Sequence, residues 1–398
     1  MSKKIMILGA SILQLPAIEK AKEMGLSVVA VDMNPQAIGF QVPGIETEVI
    51  STIDIPKVLE AARRHNIQGV MTLASDMPMR TVAVVARELG LVGVSEDTAL
   101  KATDKAVMRK CLQDAGVPVP KFYRVETEEQ YRSAAAGFRV PFVVKPADNS
   151  GSRGIVLVKD PADTAAVDNA YPYSRRNSRN GNVVVEEYMQ GPEVSVETLS
   201  VNGVCHVIQI TDKLTTGAPH FVEMGHSQPT ALPPETAEKI RQVVIAANKA
   251  VGIENGPSHT EVIVTSEGPK IVEIGARLGG DCITTHLVPL STGVNMVENC
   301  IRIALGETPD LTRKFQKGSA IRYFSQHPGT VAAIHGISDA AAIPGIEQIS
   351  IVHGVGETVT EIDSSAARMG FVIARSDDAP AAVELCCKAI NAIKIVIE

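Results

Sequence analysis

In the stretch PSHTEVIVTSEGPKIVEIGARLGGD, residues 257–281, two acids and an arginine stand where a tight turn would bring them together. Glu261 alternates with Val262 and Val264, Glu273 follows Ile271 and Val272, and Ser-Glu-Gly-Pro at 266–269 punctuates a hairpin between them. Antiparallel pairing carries Glu261 and Glu273 to neighbouring positions on one face, with Arg277 four residues further on. Two carboxylates in a mostly apolar hairpin repel each other and are costly to desolvate alone. A hard cation relieves both costs, and oxygen-only ligands call for Mg²⁺ or Mn²⁺ rather than zinc. An arginine beside such a cation suits an anionic substrate, because its planar fork grips carboxylate or phosphate through two hydrogen bonds. The same pattern also fits an ordinary hairpin with its acids in water, so the surrounding chain has to decide.

Other stretches carry groups for an anion. FRVPFVVKPADNSGSRGIVLVKD (138–160) reads as a strand ending in Lys145, a loop and a return strand. Ser150, Gly151, Ser152, Arg153 and Gly154 form a loop of small residues whose backbone N–H groups can converge on a phosphate, although it is not the G-x-x-x-x-G-K-[ST] pattern. Lys105 lies in the first turn of a helix, where a lysine opposes the helix dipole and is expected to serve something anionic. In NVVVEEYMQGPEVSVETLSVNG (182–203) the strand-to-turn passage from Glu186 to Met189 offers backbone donor and acceptor to a base. Glu193 and Glu197 beyond it share one strand face. GVCHVIQITDKLTTGAPHFVEMGHSQPT (203–230) adds a strand and a polar loop that gather Lys213, His220, Glu223 and His226. The two histidines lack helical metal spacing, so substrate contact is expected rather than zinc.

These groups need a scaffold. Residues 1–100 alternate strand and helix patterns, which predicts a parallel sheet with helices on both faces. Gly9 and Asp32 resemble a dinucleotide fingerprint, but Ser11 and Gln14 stand where its other glycines belong, which argues against a nicotinamide cofactor. Between 95 and 120, Ser95 or Thr98 caps one helix and TDKAVMRKCLQDAG forms a second. Residues 161–182, rich in Ser, Arg, Asn and Asp, read as a mobile solvent-facing segment. PPETAEKIRQVVIAANKAVG (233–252) is an amphipathic helix leading into the opening hairpin, and 287–306 reads as loop and helix. Residues 316–398 return to short strands and a final helix with sparse charge and no catalytic cluster, a smaller α+β domain.

Composition sets the outer bounds. A chain of 398 residues exceeds one ordinary core, so two to four domains or subdomains are expected. A net charge of −7 gives no basic footprint for nucleic acid. No apolar run approaches the ~20 residues that span a bilayer. The six cysteines show no zinc spacing and fit a reducing cytoplasm, and the N-terminal apolar run is read as strand, loop and helix rather than a signal peptide.

Taken in order, an N-terminal α/β domain, the lysine of TDK, V-K-P before a Gly-rich loop, E-E-Y-M, and paired glutamates followed by Arg resemble the ATP-grasp superfamily. DKLTTGAPHFVEMGH and EIGARLGGD look most like the L-amino acid ligases, a group of carboxylate–amine ligases. The resemblance implies a Rossmann-like pre-ATP-grasp domain over 1–100 and a first ATP-grasp part with the Gly-rich lid over 101–190. A second part with the metal and substrate site follows over 191–312, then a small C-terminal α+β domain over 313–398. It implies that Lys105 and Lys145 contact the phosphates of ATP, that Ser150–Gly154 close over them, and that Glu187 and Met189 hold adenine through their backbone. Glu193 would bind the ribose hydroxyls, while Glu261 and Glu273 would hold the Mg²⁺ (or Mn²⁺) ions, two per site. Arg277 would bind the substrate carboxylate and stabilise the tetrahedral intermediate. His226 and Gly280 would lie beside the amino acid, with Lys213 or the substrate itself taking the amine proton. The implied reaction activates an amino acid carboxylate as an acyl phosphate for attack by an amine. The implied setting is cytoplasmic, with small-molecule partners, no nucleic acid or membrane, and a homodimer as in related enzymes. One departure stands out: many ATP-grasp enzymes such as biotin carboxylase have Asn two residues after the second glutamate, where this chain has Gly275.

Overall fold

The computed structural model describes residues 2–149, 151 and 153–398. Among these, the N-terminal region forms a parallel sheet of four strands. Lys4–Leu8 sits between Ser27–Asp32 and Gly69–Met71, and Glu46–Val49 lies at the edge. Its central strands are buried on both faces, which is why KIMIL and SVVAVD read as near-continuous apolar runs. The short edge strand ETEV, polar and mostly exposed, gives no such signal and was not expected.

Helices Ile55–His65 and Met79–Leu89 end on left-handed Asn66 and Gly90, the stop signals their sequences carry. Ser95, not Thr98, caps the helix Glu96–Lys101, accepting from the Thr98 N–H. Asp104 caps Lys105–Asp114 by accepting from Ala106 and Val107, which fixes Lys105 as the first helical residue.

A second unit spans Phe122–Glu187. Its antiparallel sheet orders Phe122–Val125, Val183–Glu187, Phe142–Pro146 and Val156–Val158. Its core is its own, built on Tyr131, Phe138, Phe142 and Tyr171. Tyr171 belongs to the helix Thr164–Arg176, where the sequence reading expected a mobile segment. Asp163 caps that helix, and Tyr171 stacks on Tyr131 at 5.1 Å, so one buried aromatic ring outweighs the polar composition around it.

The largest sheet runs through eight strands among the described residues, from Gly268–Gly275 at one edge to Ile346–Ile351 at the other. Glu193–Val201, Val204–Thr215 and Glu223–Gln228 fill its middle, so His226 lies on a strand and not in a loop. Gly318–Tyr323 pairs directly with Glu223–Gln228, and Gly370–Ser376 pairs beyond it. The C-terminal region therefore extends the central sheet, and it also forms a three-stranded sheet of its own in the order Thr358–Val359, Gly329–His335, Lys394–Ile397. The segment after the hairpin forms a π-helical turn Ile283–Leu287, then the helices Val288–Thr292 and Met296–Ala304.

Candidate active site

The hairpin pairs as its sequence predicts. Glu261 stands directly opposite Glu273 across the strands Gly256–Thr265 and Gly268–Gly275, with a bulge immediately after Glu261. Each carboxylate meets a lysine: Lys213 Nζ lies 2.9 Å from Glu261, and Lys105 Nζ lies 2.8 Å from Glu273. Burial would raise the Glu261 carboxyl, but Lys213 and His259 outweigh it and hold the group well below the usual carboxylate range. Both acids already face positive charge, and their oxygen-only set fits a hard divalent ion. Among the described residues no three His, Cys, Asp or Glu side chains gather to hold a metal unaided. Phosphate oxygens and water would complete such a shell.

Glu261, Glu273 and Lys105 line one cleft with Lys145, Asn149, Gly151, Arg153, Glu223, His259, Gly275 and Arg277. Lys105 Nζ also donates to the carbonyl of Asn149 at 2.6 Å, which ties the start of the helix Lys105–Asp114 to the Gly-rich loop. Gly154 closes that loop at φ +81°, where a Cβ would fall 2.5 Å from Asn177, so glycine is required there. Ser150 and Ser152 lie outside the described residues.

Lys145 is buried and paired with Glu186, whose other oxygen accepts from Arg109 Nε and Nη2 at 3.1 and 2.9 Å. Glu186 is therefore a buried counter-ion that aims Lys145, not an open contact for a base. Burial would raise its carboxyl, yet Arg109 and Lys145 pull it down. Arg109, fully buried, was missed by the sequence reading; its signal was the i,i+4 spacing from Lys105 on one helix face. Glu187 donates its N–H to Lys121, so only its carbonyl is left for a base, whereas the Met189 N–H has no partner among the described residues. That donor–acceptor pair matches the edge of a purine.

Lys213 departs from its expected role. It is buried against Glu193 at 2.7 Å, Glu261 at 2.9 Å and Glu223 at 3.7 Å. Burial alone would lower its ammonium, but the three carboxylates raise it well above the ordinary lysine value. A group so firmly protonated is a counter-ion and cannot accept a proton from an amine. Burial raises the Glu193 carboxyl despite Lys213.

Arg277 is clamped from the N-terminal region. Asp76 accepts from its Nε at 2.8 Å and its Nη2 at 3.1 Å, and Nη1 donates to the Leu278 carbonyl at 3.4 Å, so two of the five N–H groups are left for a ligand. Gly275 makes room for this clamp: a Cβ there would lie 2.8 Å from Asp76 Oδ1. The absent asparagine is thus the space the pair occupies. Asp76 follows the strand Gly69–Met71, at the end of a parallel sheet where ligand sites gather, and that position was its signal. Gly280 approaches Ala74 of the same loop, a Cβ at 280 lying 3.5 Å from that of Ala74.

His226 is buried, with Nε2 3.2 Å from Asp281 Oδ2. His220, expected beside it, is exposed. Glu197 accepts from His259 Nδ1 at 2.6 Å, and the carboxylate raises the imidazolium to about 9 against the effect of burial. No helix is long and apolar enough to cross a membrane among the described residues.

Comparison with known proteins agrees with this geometry. A family model described as an ATP-grasp domain matches residues 138–285, and one described as L-amino acid ligase C-terminal domain 2 matches 322–398. The chain is 29% identical over 333 residues to an uncharacterized protein, y4rH, of Sinorhizobium fredii, covering 83% of this chain and 68% of that one. It is 27% identical over 349 residues to the alanine–anticapsin ligase of Bacillus subtilis, covering 79% and 71%. A formate-dependent phosphoribosylglycinamide formyltransferase of Burkholderia lata is 26% identical over 362 residues, covering 86% and 85%. The crystal structure of an L-amino acid ligase from Bacillus licheniformis superposes with a TM-score of 0.85 at 24% identity, covering 100% and 99%. The chain carries an ATP-grasp domain over 138–285 and an L-amino acid ligase C-terminal domain over 322–398, and it is an ATP-dependent ligase.

Proposed function

We propose that this ligase joins an amino acid carboxylate to an amine, with ADP and phosphate as co-products. The observation that carries the reading is the directly opposed Glu261–Glu273 pair with Arg277 held beside it by Asp76. A carboxylate is a poor electrophile until phosphorylation supplies a leaving group. In the first step a carboxylate oxygen attacks the γ-phosphorus and ADP leaves. In the second the amine attacks the acyl carbon, phosphate departs, and the amine loses its proton.

In this reading Lys105 and Lys145 neutralise phosphate oxygens, the Glu187 carbonyl and Met189 N–H meet adenine, and Glu193 meets the ribose. Glu261 and Glu273 would hold divalent ions, which would supply positive charge to offset that of the phosphates. Arg277 presents its remaining N–H groups to the carboxylate and to the oxyanion that forms from it. Positioning and charge neutralisation supply the catalysis, and the closing loop keeps water from the acyl phosphate. The amine proton passes to the substrate's own phosphate or to water, since Lys213 is already protonated.

The formyltransferase likeness supports a second reading, in which formate or bicarbonate is the acid that is phosphorylated. ADP release from Mg·ATP, measured against single and paired L-amino acids with formate and bicarbonate included, separates the two. ADP that needs an amino acid, with a new peptide or amide mass, is the expected outcome. ADP with formate or bicarbonate alone selects the second reading, and bound ATP without turnover leaves a nucleotide-binding module.

A further inference from the structure

Arg368, from the C-terminal region, reaches the turn that follows Arg277. Its Nη2 donates to Asp281 Oδ1 at 2.7 Å and its Nη1 to Asp281 Oδ2 at 2.8 Å, a two-pronged grip on one carboxylate. Nη1 also donates to the Glu223 carbonyl at 3.0 Å, and Nε to the Ser365 carbonyl at 3.0 Å. Its guanidinium lies 3.7 Å over the Tyr323 ring. Four of the five N–H groups of an arginine are thereby committed, so this fork has no edge left to grip a substrate acid. The neighbouring Ser365 hydroxyl donates to Glu223 Oε2 at 3.2 Å, and Glu223 lines the cleft.

The turn has local bonds of its own, Ile283 N–H to the Gly280 carbonyl at 2.9 Å and Thr284 Oγ1 to the Gly279 carbonyl at 2.7 Å, but its two strained residues lean on side chains from elsewhere. Asp281 and Cys282 both adopt the left-handed conformation, φ +49° and +59°, which residues with a Cβ avoid. Such pairs persist when surrounding contacts over-determine them. At Asp281 those contacts are Arg368 on both carboxylate oxygens and His226 on one of them, while the Cys282 carbonyl accepts from the His286 and Leu287 N–H groups. Four residues upstream stands Arg277, and the intervening Leu278 bridges to Leu73 of the N-terminal sheet. The turn is thus gripped from both ends of the chain.

We propose that Arg368 is a positioning residue: through Asp281 it fixes the turn 278–282, and so the placement of the substrate acid at Arg277, without touching substrate itself. The inference rests on the ligase reading for its kinetic consequence but not for its structural one.

Two measurements on the full chain test it, with Arg368→Met and the milder Arg368→Lys, the latter available should the former fold poorly. First, deuterium exchange in the enzyme without substrates should rise about tenfold in peptides covering 278–287 for Arg368→Met, and less for Arg368→Lys, with little change in 122–187. Second, using whichever amino acid releases ADP with the unaltered enzyme, its KM should rise about tenfold while the KM for ATP stays within about twofold. Asp281→Asn should reproduce both effects and add little to Arg368→Met. Unchanged exchange at 278–287, or equal losses for ATP and amino acid, would overturn the proposal. Should no amino acid release ADP from the unaltered enzyme, the ligase reading fails, and the exchange measurement still decides the role of Arg368.

Discussion

Single side chains in this cleft are set by their neighbours, and each neighbour implies a measurable consequence. Gly275 is the plainest case. Any side chain there meets the Asp76–Arg277 pair, so Gly275→Asn should lower kcat/KM for the acid substrate about a hundredfold while ATP still binds; an unimpaired variant would show that the clamp is dispensable. Glu273→Ala should abolish turnover, since half of the ion-binding pair disappears, and full activity would sink the metal assignment. Lys213 carries the opposite lesson from the one its type suggests. If it is a counter-ion, Lys213→Met leaves Glu193, Glu223 and Glu261 facing one another and should weaken ATP binding at every pH. A base would instead lose only the limb of the pH–rate profile on which it titrates. Asp281 adds a pH dependence of stability. Burial would raise its carboxyl, but Arg368 and His226 depress it below the ordinary value. A depressed carboxyl contributes stability that is complete above the unfolded value near pH 4 and is lost as pH falls toward the folded one. Acid unfolding should therefore begin at higher pH in Arg368→Met than in the unaltered chain, read by far-ultraviolet circular dichroism from pH 6 downward.

At the scale of strands and helices, the buried ion triad Lys145–Glu186–Arg109 links the strand Phe142–Pro146, the strand Val183–Glu187 and the helix that begins at Lys105. Glu186→Gln leaves two buried cations facing a neutral amide and should cost about 3–5 kcal/mol, read as a shift in denaturant midpoint at constant slope. Replacing all three by apolar residues should cost far less, which would separate the triad's role in folding from its role in aiming Lys145. The elements legible in the sequence were those whose pattern is local. The hairpin, with its register of Glu261 on Glu273, follows from alternation and turn residues alone, and Met79–Leu89 follows from its apolar face and terminal glycine. The helix Thr164–Arg176 was not legible, because its stability comes from Tyr171 stacking on Tyr131, a contact outside any window of sequence. The same limit hid Asp76 and Arg368, 201 and 87 residues from the groups they grip. Short-range pattern locates a carboxylate; only the folded chain shows which arginine it faces.

Across the whole molecule, the Phe122–Glu187 unit packs around its own aromatic core, and charged contacts are prominent where it meets the rest of the chain. Arg109 spans the boundary by donating both to Glu186 and to the Val272 carbonyl at 2.7 Å, and Lys270 reaches Glu187 at 3.4 Å. In the proposed mode a nucleotide would meet Lys145, Glu187 and Met189 of this unit on one side and Glu193, Glu261 and Glu273 of the central sheet on the other. Binding would then join two cores that otherwise meet through polar groups and the small apolar cluster of Ala106, Ala147 and Val184. Mg·ADP at about a hundred times its Kd should raise unfolding stability by about 2.7 kcal/mol and draw both cores into one transition. The dependence on metal is the sharper part of the argument. Without a divalent ion the phosphates would face the Glu261 and Glu273 side chains across the hairpin, so ADP with a chelator should stabilise far less than Mg·ADP. Glu273→Ala should narrow that gap, because it removes both the repulsion and the ligand. Calorimetric scans of the two proteins under the two conditions give four melting temperatures. If chelator leaves the unaltered protein's stabilisation intact, the paired glutamates do not hold the ion, and the cleft binds its nucleotide by lysine and arginine alone.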